Sequence, residues 1–181
     1  GSSDQELVFQ QAVEEAIRSM NTGMEIDCFA GLPRSQLLET VEATAPDTTI
    51  LMLNYDEDSE RNYYSTVEII EQISATSPAP VYGLYDTLLG HGIVGGSLGS
   101  AESQGKLAGG LAIRVLKGER PEDVPIVGLD TVQLQFDARQ LTRWNISEAI
   151  LPAGSLVLYR EPTFWEQFGR YVLLGTTAIM L

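Results

Sequence analysis

The chain has 181 residues, of which 44% are hydrophobic and 20% are charged, so it can bury one mid-sized core or two small lobes that share one. This composition excludes a disordered chain, a collagen-like repeat and a disulfide scaffold. The formal net charge of -14 opposes binding to phosphate backbones and anionic lipid surfaces, so no nucleic acid is predicted as a partner.

The predicted elements of the first half are a helix, a short strand, a second helix and a second strand, over Asp4–Met20, Met24–Ala30, the residues after Pro33 and Thr48–Leu53. Both helices have apolar residues at helical spacing. The unbroken apolar run in the second strand is typical of a strand that is buried on both faces. The acidic stretch Asp56–Glu60 is expected to be a solvated surface loop, with a functional role as the alternative.

The predicted elements of the second half are a helix that begins with a capping box at Ser65, strands over Val81–Leu84 and Ile93–Val94, and a long helix from Ser100 to Gly118. In the long helix, Ala108, Leu111, Ala112 and Val115 recur on one face. Helices and strands therefore alternate from residue 4 to 118. This alternation predicts the α/β class, with a parallel sheet flanked by helices on both faces.

In such sheets, small ligands bind where the loops leave the carboxyl ends of the strands. Six candidate ligand-binding residues follow the predicted strands: Asn54, Tyr55, Tyr85, Asp86, Gly95 and Gly96. An Asn or Asp beside a Tyr offers directed hydrogen bonds and a flat apolar wall, and paired glycines let a ligand approach the backbone. The structural alternatives are that Asp86 caps a helix and that Asn54 holds its own turn.

Reactive side chains are few. Cys28 is the single cysteine, so it cannot form an internal disulfide and does not decide the compartment. His91 is the single histidine and lies in a glycine turn, where a solvated imidazole and a catalytic one are the alternatives. Zinc and iron sites usually need several such ligands. The sequence therefore predicts no metal, no cofactor and no catalytic residue.

Two further motifs bear on catalysis. Gly90 to Gly95 matches G-x-G-x-x-G, but a strand is predicted inside the motif, whereas a dinucleotide site needs a strand before it and a helix that opens within it. The sequence holds no G-x-x-x-x-G-K-[ST] phosphate-binding loop. An enzyme of the flavodoxin-like or Rossmann type is therefore a disfavoured alternative.

Five segments carry a family resemblance: Pro80–Asp86, Gly92–Gly96, Gln104–Ala108, Ala112–Glu119 and Asp123–Pro125. They resemble the second half of the type I periplasmic-binding fold and, more narrowly, ABC-transporter substrate-binding proteins for small organic molecules. The resemblance implies two lobes that close over a ligand, the second lobe being incomplete. Residues 1–90 would form the C-terminal lobe, and residues 91–160 the returning part of the N-terminal lobe.

The end of the chain has a different composition. Residues 171–181 carry no charge and follow an aromatic segment, which predicts a juxtamembrane segment and the start of a membrane helix over residues 161–181. A buried core helix is the alternative. The tail is similar to the segment with which the sensor domains of bacterial histidine kinases enter the membrane, on the strength of Pro162, Trp165, Glu166 and Gln167.

These resemblances imply an extracytoplasmic (periplasmic) ligand-sensing domain of a membrane signalling protein, a sensor histidine kinase, and not an enzyme in its own right. Its ligand would be an amino acid, a sugar or a similar metabolite bound between the lobes. The other implied partners are the membrane, through the C-terminal segment, and a second copy of the chain. The alternative is a solute-binding protein that delivers its substrate to an ABC transporter.

Overall fold

The structure is a computed structural model, and it describes residues 4–21, 23–124 and 132–162. The helices are α1 (Asp4–Ser19), α2 (Arg34–Glu42), α3 (Thr66–Thr76), α4 (Ala101–Leu116) and α5 (Ala138–Arg143). The strands are β1 (Ile50–Met52), β2 (Val81–Gly83), β3 (Gly95–Gly99), β4 (Val132–Asp137) and β5 (Leu156–Leu158). The protein is thus mixed α/β, with helices against small sheets.

The strands form one parallel pair and one mixed sheet. β1 pairs with β2 in parallel, with Met52 opposite Gly83. β4 lies between β3, to which it is antiparallel, and β5, to which it is parallel. Two backbone hydrogen bonds, Val94 N to Val81 O and Gly99 N to Leu84 O, join the pair to the mixed sheet. The expectation of a wholly parallel sheet is therefore wrong, because hydrophobic spacing marks a strand without fixing its direction.

The main core lies between α2, α3 and the β1–β2 pair. Its buried side chains include Leu37, Val41, Met52, Ile69, Ile70, Ile73, Val81, Leu88, Ile93 and Leu98. A smaller cluster of Val94, Phe136 and Leu141 lies beside β4. Burial of these apolar surfaces is the main source of stability, and it holds the ends of β1 and β2 in place.

Three strand predictions are corrected by the structure. Residues 24–30 form no strand, and most of their side chains are exposed. Strand β1 is not covered on both faces, since Leu51 is 38% exposed. The predicted strand at residues 93–94 is observed at Gly95–Gly99, and Ile93 and Val94 are buried core residues just before it.

The predicted helix starts are close to those observed. Ser100 caps α4, and its side chain accepts a hydrogen bond from the backbone N of Ser103 at 3.3 Å. Ser65 is the N-cap of α3 but makes no side-chain capping bond, so the capping-box prediction is wrong in its contacts. No residue of α4 is buried, although its apolar residues recur at helical spacing.

Candidate functional site

Two of the predicted loops leave the sheet at the same edge. Met52 lies opposite Gly83 in parallel register, so Asn54 and Tyr85, each two residues further on, leave at the carboxyl edge of the β1–β2 pair. Asp86 follows Tyr85 and begins a 3₁₀ turn, Asp86–Leu88. This edge is where α/β sheets commonly hold ligands, and we call it the carboxyl edge.

Asn54 belongs to a polar cluster at the start of α3. Its Nδ2 donates to Asp56 Oδ2 at 2.6 Å. The Thr66 hydroxyl lies within hydrogen-bond distance of two acceptors, Asn54 Oδ1 at 2.9 Å and Asp56 Oδ1 at 2.7 Å. The amide and the carboxylate are therefore held in one orientation, as the alternative of a self-supporting turn requires. A role of Asn54 in ligand contact stays a prediction.

Tyr55 has a structural place. Its side chain is 2% exposed, and its hydroxyl donates to Leu32 O at 2.8 Å. Burial, together with the nearby Asp58 carboxylate, raises the pKa of Tyr55 to about 12. Tyr55 thus ties the loop after β1 to the segment before α2. Its predicted contact with a ligand stays a prediction.

Tyr85 and Asp86 are more open. Tyr85 is 41% exposed and occupies the N-cap position of the 3₁₀ turn. The helix-capping alternative for Asp86 is therefore wrong, because Asp86 is already the first residue inside the turn. Its carbonyl accepts from Leu89 N at 3.0 Å. Within residues 4–21, 23–124 and 132–162, its half-buried carboxylate has no hydrogen-bond or ion-pair partner.

Gly95 and Gly96 do not lie in a loop, so that part of the prediction is wrong. They open β3, and neighbouring strands crowd their backbone: a Cβ on Gly95 would lie 2.2 Å from Gln135 O, and one on Gly96 would lie 2.6 Å from Gly83 O. The close approach that requires glycine at these two positions is made by the backbone of neighbouring strands. Gly99 stands beside Tyr85 at the edge instead. Whether the glycine pair also contacts a ligand stays a prediction.

The acidic stretch contains a buried carboxylate that the sequence analysis missed. Asp58 is 1% exposed, and its Oδ1 accepts from the backbone N of Glu60 at 2.8 Å and of Asn62 at 2.9 Å. Its Oδ2 accepts from the Tyr64 hydroxyl at 3.1 Å. Burial raises the pKa of Asp58, but the hydrogen bonds outweigh burial, so its pKa lies below the ordinary value. The sequence feature that could have indicated this role is an Asp directly followed by turn residues, whose backbone N–H groups it can accept from.

The two reactive residues take no part in this edge. Cys28 Sγ donates to Glu14 Oε1 at 2.8 Å, and burial, followed by that carboxylate, raises the pKa of the thiol to about 11. A raised pKa keeps the thiol neutral, the opposite of an activated nucleophile. His91 Nδ1 lies 2.8 Å from Glu71 Oε1. The described part of the chain holds no group of three or more potential metal ligands.

A recess of about 240 Å³ lies elsewhere, and its walls are Gln11, Glu14, Glu15 and Arg18. All four side chains belong to α1, so the recess is a hollow along one helix. Ligand sites are usually clefts between several elements with a few convergent polar groups. The carboxyl edge, in contrast, has polar side chains that follow two different strands.

Compared with protein-family models, with curated proteins and with solved structures, the chain matches none of them. In the described ranges, none of the helices has both the length and the apolar composition that crossing a membrane requires. The predicted tail residues Trp165, Glu166 and Gln167, and the predicted membrane helix start, lie outside the described residues.

Proposed function

We propose that this protein is a ligand-sensing domain that binds a small polar organic solute at the carboxyl edge. The observation that carries the proposal is the Asp86 carboxylate, half-buried at the end of β2 and without a hydrogen-bond partner among the described residues. A partly desolvated carboxylate gains from a donor or a cation. Asp86 is therefore assigned as the main polar contact.

The charge of the edge selects the class of solute. Asp56 lies after β1 and Asp86 after β2, so two carboxylates border the same edge. The whole chain carries a formal charge of -14, which opposes an anionic solute. A solute with an amine or with several hydroxyl groups fits both facts. Amino acids and sugars are the two classes that meet this requirement, and both belong to the proposal.

The wider proposal follows the family resemblance. The protein would be a type I periplasmic-binding-like domain on the extracytoplasmic face of a membrane, with residues 1–90 and 91–160 as the parts of two lobes. The bound solute would favour the closed arrangement, and the change would pass to the C-terminal segment and on to a histidine kinase. A ligand shifts such an equilibrium only through its different affinities for the two states, typically by about 1–3 kcal/mol.

Calorimetric titration of the 181-residue chain with single amino acids and hexoses tests this proposal. We expect one class to bind, and we expect Asp86→Asn to weaken that binding about tenfold or more, because a hydrogen bond to a charged group is lost. Asp27→Asn changes an exposed carboxylate that is distant from Asp86 in the sequence, so this variant is the matched control and should bind normally. Unchanged affinity in Asp86→Asn, or no heat with any probe, contradicts the assignment.

A further inference from the structure

The turn that carries Asp86 is tied directly to the residues after β5. The Tyr159 hydroxyl donates to Leu89 O at 3.1 Å, and Arg139 Nη2 donates to Gly90 O at 3.2 Å. Leu89 and Gly90 are the two residues that follow the 3₁₀ turn. Two successive carbonyls just after the turn are thus held by two side chains that are distant in sequence, Arg139 in α5 and Tyr159 after β5. We call this set of contacts the Tyr159 latch.

An ion pair between Arg139 and the buried Asp137 fixes the latch. Asp137 is fully buried at the end of β4, and its oxygens accept from Arg139 Nε at 3.0 Å and from Arg139 Nη2 at 2.6 Å. The guanidinium then lies over the Tyr159 ring, 4.6 Å from the ring centroid. A two-point pair of this kind fixes the plane of the guanidinium. Arg139 and Tyr159 therefore act as one unit.

The backbone at both ends of the latch has a positive φ, and the two ends are in close contact. Gly90 has φ +90°, and a Cβ there would lie 2.7 Å from the Tyr159 ring and hydroxyl. Tyr159 has φ +55°, a conformation that residues with side chains rarely adopt. Such backbone conformations persist only where the surroundings hold them, and they cluster at segments that function as switches or clamps. The close fit leaves little freedom for one end to move alone.

The latch lies between the two parts that the proposed function must connect. On one side, Leu89 N donates to Asp86 O at 3.0 Å and His91 N donates to Leu88 O at 3.2 Å, so residues 86–91 form one hydrogen-bonded segment. On the other side, Tyr159 is followed by Arg160, which pairs with Glu148 Oε2 at 2.6 Å, and the chain then continues to Pro162.

We propose that the Tyr159 latch transmits a change at the Asp86 turn to the C-terminal segment. The inference rests on the proposed function, because it names the regulation of the same site. A ligand contact at Asp86 displaces the turn, the carbonyls of Leu89 and Gly90 move with it, and Tyr159 and Arg139 follow. Tyr159 is a positioning residue, since it acts through the turn and not on the solute.

The test needs no ligand. Thr87→Gly loosens the turn, because Thr87 is exposed and lies at its centre. Amide hydrogen exchange of the full chain then reports residues 88–91 and residues 156–160 separately. We expect Thr87→Gly to accelerate exchange about 2- to 10-fold in both segments. In a Tyr159→Phe background, which removes only the hydroxyl, we expect the acceleration at residues 156–160 to be smaller than in the wild-type background, since Arg139 then remains as the other link described here.

Tyr55→Phe is the matched control background, since it also removes a hydroxyl that donates to a backbone carbonyl. In that background, Thr87→Gly should still accelerate both segments. Gly90→Ala, which displaces the Tyr159 ring, should weaken the coupling of the two segments as Tyr159→Phe does. Exchange at α3 amides, unchanged in every variant, shows that the fold is intact.

Two results would overturn the latch. One is a Thr87→Gly effect that never reaches residues 156–160, and the other is an effect that reaches them equally with and without the Tyr159 hydroxyl. Neither result depends on binding, so failure of the latch is separate from failure of the solute titration. A coupled latch in a chain that binds no solute would leave the contact network standing and remove the proposed ligand.

Discussion

The carboxylate of Asp58 is buried and that of Asp86 is half-buried, and the two differ in their hydrogen-bond partners. Asp58 accepts hydrogen bonds from two backbone N–H groups and from the Tyr64 hydroxyl, so its charge is satisfied within the chain. Asp86 has no such partner among the described residues. Buried polar groups are normally paired. The comparison assigns Asp58 to the fold and leaves Asp86 as the group that an external donor can satisfy.

Asp58 predicts a dependence of stability on pH. Its folded-state pKa lies below the unfolded value, which is about 3.9. The stabilisation is therefore fully present above the unfolded pKa, and it is lost as the pH falls from there through the folded-state pKa. Urea unfolding between pH 3 and pH 7 should show a falling midpoint in the wild type.

Asp58→Asn should lower the urea midpoint at pH 7, because one acceptor oxygen becomes a donor that faces the Asn62 amide. The variant should also flatten the acid limb, because the carboxyl group that titrates there has been removed. Asp47→Asn, at an exposed position, is the control and should keep the wild-type curve. An acid limb that is equally steep in Asp58→Asn and in the wild type would assign the pH dependence to other carboxylates.

At the scale of elements, β3 shows why strands are harder to predict than helices. The apolar residues Ile93 and Val94 mark the core, but strand β3 itself begins at Gly95. Helices α2 and α3 lie close to their predicted positions because their apolar spacing and their ends act within one segment. Pairing of a strand depends on what lies beside it, which no local pattern records.

Gly95 gives a prediction at this scale. Gly95→Ala should destabilise the protein by roughly 1–3 kcal/mol or more, since its φ of +144° is unfavourable for alanine and the added Cβ would meet Gln135 O. Gly109→Ala, in α4 with nothing within 4 Å of the added Cβ, should stabilise by about 0.5–1 kcal/mol. Urea unfolding monitored by circular dichroism measures both.

An unfolding free energy of Gly95→Ala within about 0.5 kcal/mol of the wild type would show that the contact between β3 and β4 is looser than the geometry implies. Opposite signs for the two glycines would show that strand contact, and not glycine itself, decides the effect.

At the scale of the whole molecule, the sequence predicted the α/β class and brought two of the three predicted loops to one edge. The loops of Asn54 and Asp86 leave the sheet at the same edge because β1 and β2 are parallel and in register. The third loop failed, since β4 runs antiparallel to β3 and the glycine pair became part of the strand between β2 and β4. Strand direction depends on the path of the connections, which hydrophobic spacing does not encode.

The burial of Asp58 and the Tyr159 latch were also beyond the sequence analysis. Asp58 lies in a run of acidic residues that looks solvated, and its burial depends on donors from Asn62 and Tyr64. Tyr159 and Leu89 are seventy positions apart in the chain. Contacts of that range follow from the assembled sheets, so only a structure brings them together.

The most direct measurement for the whole account is the mapping of amide chemical shifts in the 181-residue chain during titration with the amino acids or hexoses of the calorimetric panel. The account predicts that the shifts concentrate at residues 53–56 and 84–87, the two loops of the carboxyl edge. Shifts confined to the α1 recess at residues 11–18, or the absence of shifts at the carboxyl edge, would contradict it.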